Sequence, residues 1–133
     1  MATFGMKIVQ FSEGEVTLTM KVDERYHNPM GTLHGGIMTD LADASMGVAT
    51  MSTLAKDETF TTLELKMNFL RPVQDGWLTS EAKVLHRGKR IALVEAVVKD
   101  SKKKQIARGI ATQMVLPIQK KKARPGQKLR AHR

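Results

Sequence analysis

The residues best suited to chemistry lie close together between residues 28 and 47. Asn28 is followed by a His-Gly-Gly triplet at residues 34–36, and Asp43 comes nine residues after the histidine. A carboxylate can act as a nucleophile or as a base that activates water. Backbone N–H groups can stabilise negative charge that develops on an oxygen. The segment therefore carries groups for nucleophilic or general-base chemistry.

The choice of acid stays open at this level. Asp40 lies three residues before Asp43, on the same side of a predicted helix. A carboxylate on a helix flank that faces a partner chain would be partly desolvated, which favours its reactivity. The alternative is that both acids are ordinary solvated side chains of a helix surface. Residue spacing alone does not decide between Asp40 and Asp43.

The residues at the start of this helix have both a chemical and a structural interpretation. The first turn of a helix has free N–H groups and the positive end of the helix dipole. Gly35 or Gly36 could present an N–H to a substrate oxygen, and the missing side chain permits close approach. These glycines could equally serve only the turn into the helix. Likewise, Asn28 could be a turn residue before Pro29, and His34 could be a structural hydrogen-bonding residue.

Composition and spacing exclude several other chemistries. Cysteine is absent from all 133 residues, so disulfides and thiolate zinc sites are excluded. The four histidines lack the spacing of metal ligands, and we expect no metal and no cofactor. The sequence also has no Walker A loop, no dinucleotide-binding glycine motif and no Gly-x-Ser-x-Gly elbow.

One long helix must position the candidate residues. Apolar residues recur at spacings of four and three from residue 37 to residue 55, which predicts a helix over residues 36–54. The predicted core stripe consists of Ile37, Leu41, Ala44, Val48, Met51 and Ala55. A second stripe, on the flank of the helix, consists of Gly36, Asp40, Asp43 and Gly47. Two glycines and two acids on one side indicate that another structure packs closely there.

Strands flank the helix in the sequence. Alternating apolar and polar residues predict strands over residues 16–22 and 62–69, with Thr62 on the polar face opposite Leu63 and Leu65. Three further strands are predicted over residues 77–86, 91–99 and 105–116. The order is one strand, the helix and four strands joined by short turns, and short connections favour antiparallel neighbours. The expected fold class is α+β, with one sheet packed against one long helix.

The length of the chain suits one compact domain, which we expect over residues 1–116. Residues 117–133 contain two prolines, one glycine and few apolar residues, which predicts a flexible tail. No apolar run approaches the roughly 18 residues that a membrane span needs. The absence of cysteine fits a reducing cytoplasm, which is the location we expect.

The positive charge belongs mainly to this tail. The net charge is +9, and residues 117–133 contain seven Lys or Arg and no acid, so the preceding part carries only +2. A basic tail could contact nucleic acid or an anionic membrane. We prefer the simpler interpretation of a solvated terminus, and we expect no nucleic-acid partner.

The segment from Asn28 to Gly47 reads N-P-M-G-T-L-H-G-G-I-M-T-D-L-A-D-A-S-M-G. In form and spacing it resembles the PaaI-like thioesterases, which have an Asn, then His-Gly-Gly, then a helix with an acid nine residues after the His. The M-N-F-L-R-P segment that ends at Pro72 and the R-G-K turn at residues 87–89 are also similar. The resemblance covers about residues 16–116. It implies the hotdog fold, a curved antiparallel sheet wrapped around a central helix, in dimers or dimers of dimers with active sites at the subunit interface.

The resemblance also implies a role for each candidate. Asp43, rather than Asp40, would be the nucleophile or general base that cleaves the thioester of an acyl-CoA, and the N–H of Gly35 would polarise the thioester carbonyl. The implied catalytic set is completed by Asn28, His34 and Thr62, which would position the thioester, the loop and the attacking water. The implied binding residues for substrate and coenzyme A are Gly36, Arg87, Gly88, Lys89 and Arg90. Threonine is common in strands, and charged residues are common at turns, so an ordinary structural role is the alternative for each.

Two other functions stay open. A hotdog dehydratase or hydratase would act on the same acyl thioesters, but such enzymes typically carry a His-Phe-Pro-Gly loop where this chain has His-Gly-Gly. A hotdog module could also bind acyl-CoA without cleaving it, although known examples carry an added DNA-binding domain. We expect a thioesterase that acts on a short-chain, medium-chain or aromatic acyl-CoA, assembled as a homodimer or homotetramer.

Overall fold

The computed structural model describes residues 5–118, so the predicted tail lies almost entirely outside the described part of the chain. In chain order the elements are strands β1 (Lys7–Ser12) and β2 (Glu15–Lys21), helix α1 (Gly35–Met51), and strands β3 (Glu58–Phe69), β4 (Trp77–Arg87), β5 (Ile91–Lys99) and β6 (Gln105–Pro117). A short 3-10 helix, Glu24–Tyr26, lies between β2 and α1. Within the described residues, no helix is long and apolar enough to cross a membrane.

The six strands form one antiparallel sheet in the order β1-β2-β4-β5-β6-β3, against which α1 packs. This arrangement confirms the predicted α+β class. The expectation that short connections join neighbouring strands is wrong for β3 and β4, because β3 pairs with β6 at one edge while β4 lies between β2 and β5.

The connection from β3 to β4, residues 70–76, runs along one end of the sheet and is held by backbone hydrogen bonds. The N–H of Leu70 donates to the carbonyl of Ile106 in β6 at 2.8 Å. Further along, the carbonyl of Val73 accepts from the loop before α1 at 2.7 Å, and the carbonyl of Gly76 accepts from Val22 after β2 at 2.8 Å. These bonds allow a short segment to pass from an edge to the middle of the sheet.

Two departures from alternation explain the errors in the strand predictions. Strand β1 was not predicted. It is exposed throughout, its pairing with β2 is irregular at Val9, and its apolar and polar residues do not alternate. Strand β3 starts at residue 58, and a bulge at Leu63 interrupts its pairing with β6. Beyond the bulge the alternation is reversed, so Thr62 lies on the same side of β3 as Leu65, facing α1. The predicted placement of Thr62 opposite Leu65 is therefore wrong.

The core side of α1 is also rotated from the predicted stripe, and the helix ends three residues before the predicted end. The buried residues of α1 are Met38, Leu41, Ala42, Ser45, Met46, Ala49 and Thr50. Of the predicted stripe only Leu41 is among them, and Met51 is 58% exposed. The cause is that hydroxyl groups occupy core positions where the sheet provides partners. Ser45 Oγ lies 2.7 Å from Ser80 Oγ, and Thr50 Oγ1 donates to Gln113 Oε1.

Candidate functional site

The loop before α1 is held by the side chain of Asn28. Its Oδ1 accepts from the N–H of Met30 at 3.0 Å and from the N–H of Thr32 at 3.2 Å, and its Nδ2 donates to Thr32 Oγ1 at 2.9 Å. Gly31, with a φ of +79°, closes the turn by donating its N–H to the Asn28 carbonyl at 3.0 Å. These bonds support a structural role for Asn28. Because a carboxamide nitrogen has two hydrogens, the same side chain can still donate to a substrate.

The His-Gly-Gly triplet forms the start of α1. His34 is the N-cap residue, its side chain makes no capping bond, and its backbone N–H donates to the carbonyl of Tyr26 at 3.0 Å. Gly35 and Gly36 are the first two helical residues, whose N–H groups have no partner inside a helix. A Cβ on Gly35 would lie 3.0 Å from the ring of Phe69, whereas a Cβ on Gly36 would meet no atom within 4 Å. Packing within the chain thus explains glycine at position 35 and not at position 36.

Asp43 projects from the flank of α1 and is solvent-exposed in the single chain. Partial burial nevertheless raises the pKa of its carboxyl, and repulsion from Asp40 raises this pKa further. Between residues 5 and 118, no cation forms an ion pair with either carboxylate. The same part of the chain contains no group of three or more His, Asp or Glu residues placed to hold a metal ion. A raised pKa makes Asp43 the stronger candidate for a base or nucleophile.

The flank of α1 that carries Asp43 lies beside edge strand β3. A Cβ on Gly47, one turn after Asp43, would lie 3.6 Å from the ring of Phe60 near the start of β3. At the other end of the helix, Gly35 approaches the ring of Phe69 at the end of β3. The helix therefore runs along the inner side of β3, in the direction opposite to the strand.

Between these two contacts lies a surface that we refer to as the α1–β3 groove. Its residues are Asp40, Asp43 and Gly47 of α1 and Phe60, Thr62, Leu65 and Met67 of β3. Thr62 is exposed there although it is on the helix-facing side of its strand. Asp43 and Thr62 thus belong to the two elements that border this surface, and Gly35 and His34 lie at the end of it where α1 begins.

The turn between β4 and β5 contains the predicted coenzyme A residues 87–90. Arg87 is already engaged, because its guanidinium lies 2.7 Å from a carboxylate oxygen of Glu58 and 3.2 Å from Thr53 Oγ1. A Cβ on Gly88 would lie 3.1 Å from the carbonyl oxygen of Ile91, so packing favours glycine there. The next two residues, Lys89 and Arg90, are exposed, and no acid of the described residues forms an ion pair with them. They line an open groove of about 520 Å³.

The structure does not bring this turn to the His-Gly-Gly loop within one chain. Arg87 contacts Thr53, just beyond the end of α1, whereas His34 precedes its first residue. A helix of 17 residues is about 24 Å from first to last residue. Asn28, His34 and Gly35 therefore lie at the start of the helix, and Asp43 lies about 12 Å further along it. Lys89 and Arg90 belong to the opposite end of the helix.

Sequence reasoning missed two further groups beside the groove. The first is Phe69, which packs against Gly35. Its place in the F-L-R-P segment was the available signal in the sequence. The second group is the buried hydrogen bond between Thr50 and Gln113, which are 63 positions apart in the sequence. No local pattern connects them, because β6 reaches β3 and α1 only through the fold of the sheet.

Comparison with known proteins bears on the family and the fold. The sequence model of a family described as the thioesterase superfamily matches residues 30–107. The chain is 31% identical over 102 residues to the 1,4-dihydroxy-2-naphthoyl-CoA hydrolase of Listeria monocytogenes, a match that covers 77% of this chain and 83% of that protein.

Two solved structures share the fold. A thioesterase from Haemophilus influenzae superposes with a TM-score of 0.83 at 29% identity, over 88% of this chain and 82% of that chain. A phenylacetic acid degradation-related protein from Ralstonia eutropha superposes with a TM-score of 0.79 at 27% identity, over 84% of this chain and 86% of that chain. These matches confirm the predicted hotdog fold and the predicted PaaI-like resemblance.

Proposed function

This chain belongs to the thioesterase superfamily of hotdog hydrolases, and from that premise we propose that it hydrolyses an acyl-CoA to the free acid and coenzyme A. We propose a short-chain, medium-chain or aromatic acyl group. The Listeria relative is named for an aromatic CoA thioester, which supports the aromatic choice. The absence of cysteine from the sequence supports a cytoplasmic location.

One observation carries the proposal: a carboxyl with a raised pKa lies on the β3-facing flank of the same helix whose His-Gly-Gly start presents free N–H groups. A base needs to be close to the water it activates. An oxyanion needs preorganised donors in a site that excludes water. We propose Asp43 as this base and the N–H of Gly35 as this donor.

In the proposed reaction, Asp43 takes a proton from water as the water oxygen attacks the thioester carbon. The N–H of Gly35 from a second copy of the chain donates to the carbonyl oxygen while that oxygen carries negative charge, because within one chain Gly35 is about 12 Å along α1 from Asp43. The carbon–sulfur bond then breaks, and the proton passes to the coenzyme A sulfur. If Asp43 instead attacks the carbon directly, water hydrolyses the resulting anhydride in a second step. Asn28 and His34 position the thioester, and Thr62 positions the water.

Coenzyme A carries phosphates, and we propose that Lys89 and Arg90 contact them, with Gly36 and Gly88 leaving room for the substrate. Arg87 supports this turn through its ion pair with Glu58. Within one chain the turn lies about 24 Å along α1 from Gly35, so either the coenzyme spans the groove or a second copy supplies the turn.

A homodimer or homotetramer is part of the proposal. Strand β3 is a 12-residue edge strand, and its Leu63 and Phe69 are 53% and 51% exposed. Unpaired edges of this length readily pair with another strand. Light scattering at micromolar concentration should give the mass of a dimer or a tetramer, and an active monomer would contradict this part of the proposal.

The function is tested by measuring the release of free coenzyme A thiol by the purified full chain, without added metal, over short, medium, long and aromatic acyl-CoAs. We expect turnover of at least one of them. Tight binding without turnover across the whole panel would favour the alternative of a module that binds acyl-CoA without cleaving it. Hydration or dehydration of an unsaturated or hydroxylated acyl-CoA, without thiol release, would favour the hydratase alternative.

A further inference from the structure

Most of the positive charge of the chain lies in a segment that the proposed reaction does not use. Residues 119–133, which we call the cationic arm, lie outside the described residues and contain seven Lys or Arg and no acid. Its cations are Lys120, Lys121, Lys122, Arg124, Lys128, Arg130 and Arg133. Residues 1–118 carry a net charge of only +2. Blocks of like charge at this density are typical of segments that bind an anionic partner.

The described part of the chain fixes where the cationic arm begins. The N–H of Ile118, the last described residue, donates to the carbonyl of Asp57 at 2.8 Å, and the N–H of Val115 donates to the carbonyl of Arg90 at 2.7 Å. The end of β6 is therefore held between the turn that follows β4 and the residue that precedes β3. The arm begins at the groove of about 520 Å³ that Lys89 and Arg90 line.

Without the arm, the net charge of this groove is small. Lys89 and Arg90 are exposed cations, Asp57 supplies one negative charge, and Glu58 is already paired with Arg87 at 2.7 Å. An extended chain spans at most about 3.6 Å per residue. The first three lysines of the arm therefore lie within about 14 Å of the last described residue, whatever the path of the chain. Covalent connection alone thus places three further positive charges beside the groove.

Coenzyme A has the anionic groups that such a region attracts. It carries a diphosphate and a phosphate monoester, and a monoester has a charge of about −1.5 to −2 at pH 7. The end of α1 lies beside the groove, because Ala55 lines it. Asp43 is about 12 Å along α1 from Met51, the last helical residue, a separation that the extended pantetheine chain can span. The thioester can therefore lie at Asp43 while the phosphates lie at the groove.

We propose that the cationic arm captures the phosphates of the acyl-CoA at this groove, so that the chain selects coenzyme A thioesters over thioesters that have no phosphates. The inference rests on the proposed function, since it concerns how the same substrate is bound. The capture acts on the end of the substrate remote from the thioester, so it lowers KM and leaves kcat unchanged. Because salt screens attraction between exposed charges, the effect of the arm is largest at low ionic strength.

The test measures thiol release by the full chain from an acyl-CoA and from the matching N-acetylcysteamine thioester, which has no phosphates. The arm variant combines Lys120→Gln, Lys121→Gln and Lys122→Gln. Its kcat/KM for the acyl-CoA should fall about tenfold at about 10 mM salt and less than about threefold at about 500 mM salt. Its kcat/KM for the N-acetylcysteamine thioester and its melting temperature should equal those of the wild type.

The control removes the same charge at the other end of β6. Lys102, Lys103 and Lys104 are also consecutive lysines, and they are exposed in the turn that precedes β6, whereas the arm follows its end. The variant with Lys102→Gln, Lys103→Gln and Lys104→Gln should keep the wild-type kcat/KM for the acyl-CoA at both salt concentrations. Equal losses in the two triple variants would overturn the inference, because net charge rather than the arm would then attract the substrate.

Unchanged kcat/KM for the acyl-CoA in the arm variant would also overturn the inference, and so would an equal loss for the N-acetylcysteamine thioester. Wild-type kinetics together with lost binding of a poly(U) oligonucleotide would assign the arm to nucleic acid instead. Failure of the proposed function has a different appearance, because the wild type then releases thiol from neither thioester. Calorimetric titration with coenzyme A itself decides that case. A Kd about tenfold weaker in the arm variant at low salt supports the inference, and an unchanged Kd overturns it.

Discussion

Substitution of Gly35 separates packing from chemistry at the start of α1. An added Cβ would lie 3.0, 3.2 and 3.3 Å from three ring carbons of Phe69, closer than the optimum of about 3.5–4.0 Å. The ring is 51% exposed, so it can shift by a few tenths of an ångström. We therefore expect a stability loss near the lower end of the roughly 1–3 kcal/mol typical of overpacking.

For Gly35→Ala we also expect a loss of turnover, which has a separate cause from the loss of stability. Removing a whole oxyanion donor typically costs about 10²–10³ in kcat. Gly35→Ala keeps the N–H and only displaces it, so a fall in kcat of about tenfold to a hundredfold is expected. Gly36→Ala adds a Cβ that meets no atom of the chain within 4 Å. Its melting temperature should therefore not fall, and any loss of turnover there must come from the substrate or from a partner chain.

The double variant Gly35→Ala with Phe69→Leu identifies the cause. Leucine removes the ring atoms that the new Cβ would approach, so the double variant should recover the melting temperature of Phe69→Leu alone. Measured by thiol release and thermal unfolding, it should remain slow while being stably folded. Full recovery of turnover in the double variant would refute the oxyanion role, because the defect of Gly35→Ala would then be a collision with Phe69.

Two further predictions concern charge. The kcat/KM profile should lose activity on the acid side at a higher pH than an ordinary aspartate would give, because burial and Asp40 raise the pKa of Asp43; Asp40→Asn should move that limb to lower pH, and an unmoved limb would contradict the assignment. Lys89→Ala combined with Arg90→Ala should raise KM for an acyl-CoA several-fold at low salt and leave KM unchanged for the matching N-acetylcysteamine thioester, which has no phosphates. Equal effects on both substrates would show that the turn does not contact the phosphates.

The fold could be predicted from the sequence where local periodicity and burial agree. The strands β2, β4, β5 and β6 have this agreement, whereas the helix was predicted at the right place but with the wrong core side. Strand β1 does not, because it is exposed and irregular at Val9. The bulge at Leu63 reverses the faces of β3, and the buried hydroxyls of Ser45 and Thr50 rotate the core side of α1 away from the apolar stripe. The errors in β3 and α1 share one cause, which is that the deciding partners lie on strands distant in the sequence.

The candidate site could likewise be predicted from the sequence only where its residues are close together in the chain. The spacing of His34, Gly35 and Asp43 is local, so the sequence could indicate that they share one helix. The engagement of Arg87 by Glu58 depends on residues 29 positions apart, and the position of Gln113 beneath Thr50 depends on residues 63 positions apart. Contacts at such separations follow from the order of the strands, which short connections alone predict incorrectly here.

The central claim is that the carboxylate of Asp43 performs the chemistry, and Asp43→Asn tests it most directly. The amide keeps the shape of the side chain and removes the base, so kcat for acyl-CoA hydrolysis should fall at least about a hundredfold. An aspartate with a raised pKa stabilises the fold when protonated and loses that contribution as the pH rises through its pKa. The melting temperature of Asp43→Asn at pH 7 should therefore equal or exceed that of the wild type.

The deciding measurement is kcat by thiol release for Asp43→Asn beside Asp40→Asn, with melting temperature and substrate affinity measured for both. The account predicts that Asp43→Asn is folded, binds substrate and turns over at least about a hundredfold more slowly, while Asp40→Asn stays within a few-fold of the wild type. Near-wild-type turnover by Asp43→Asn would contradict the account, and an inactive Asp40→Asn beside it would assign the chemistry to Asp40.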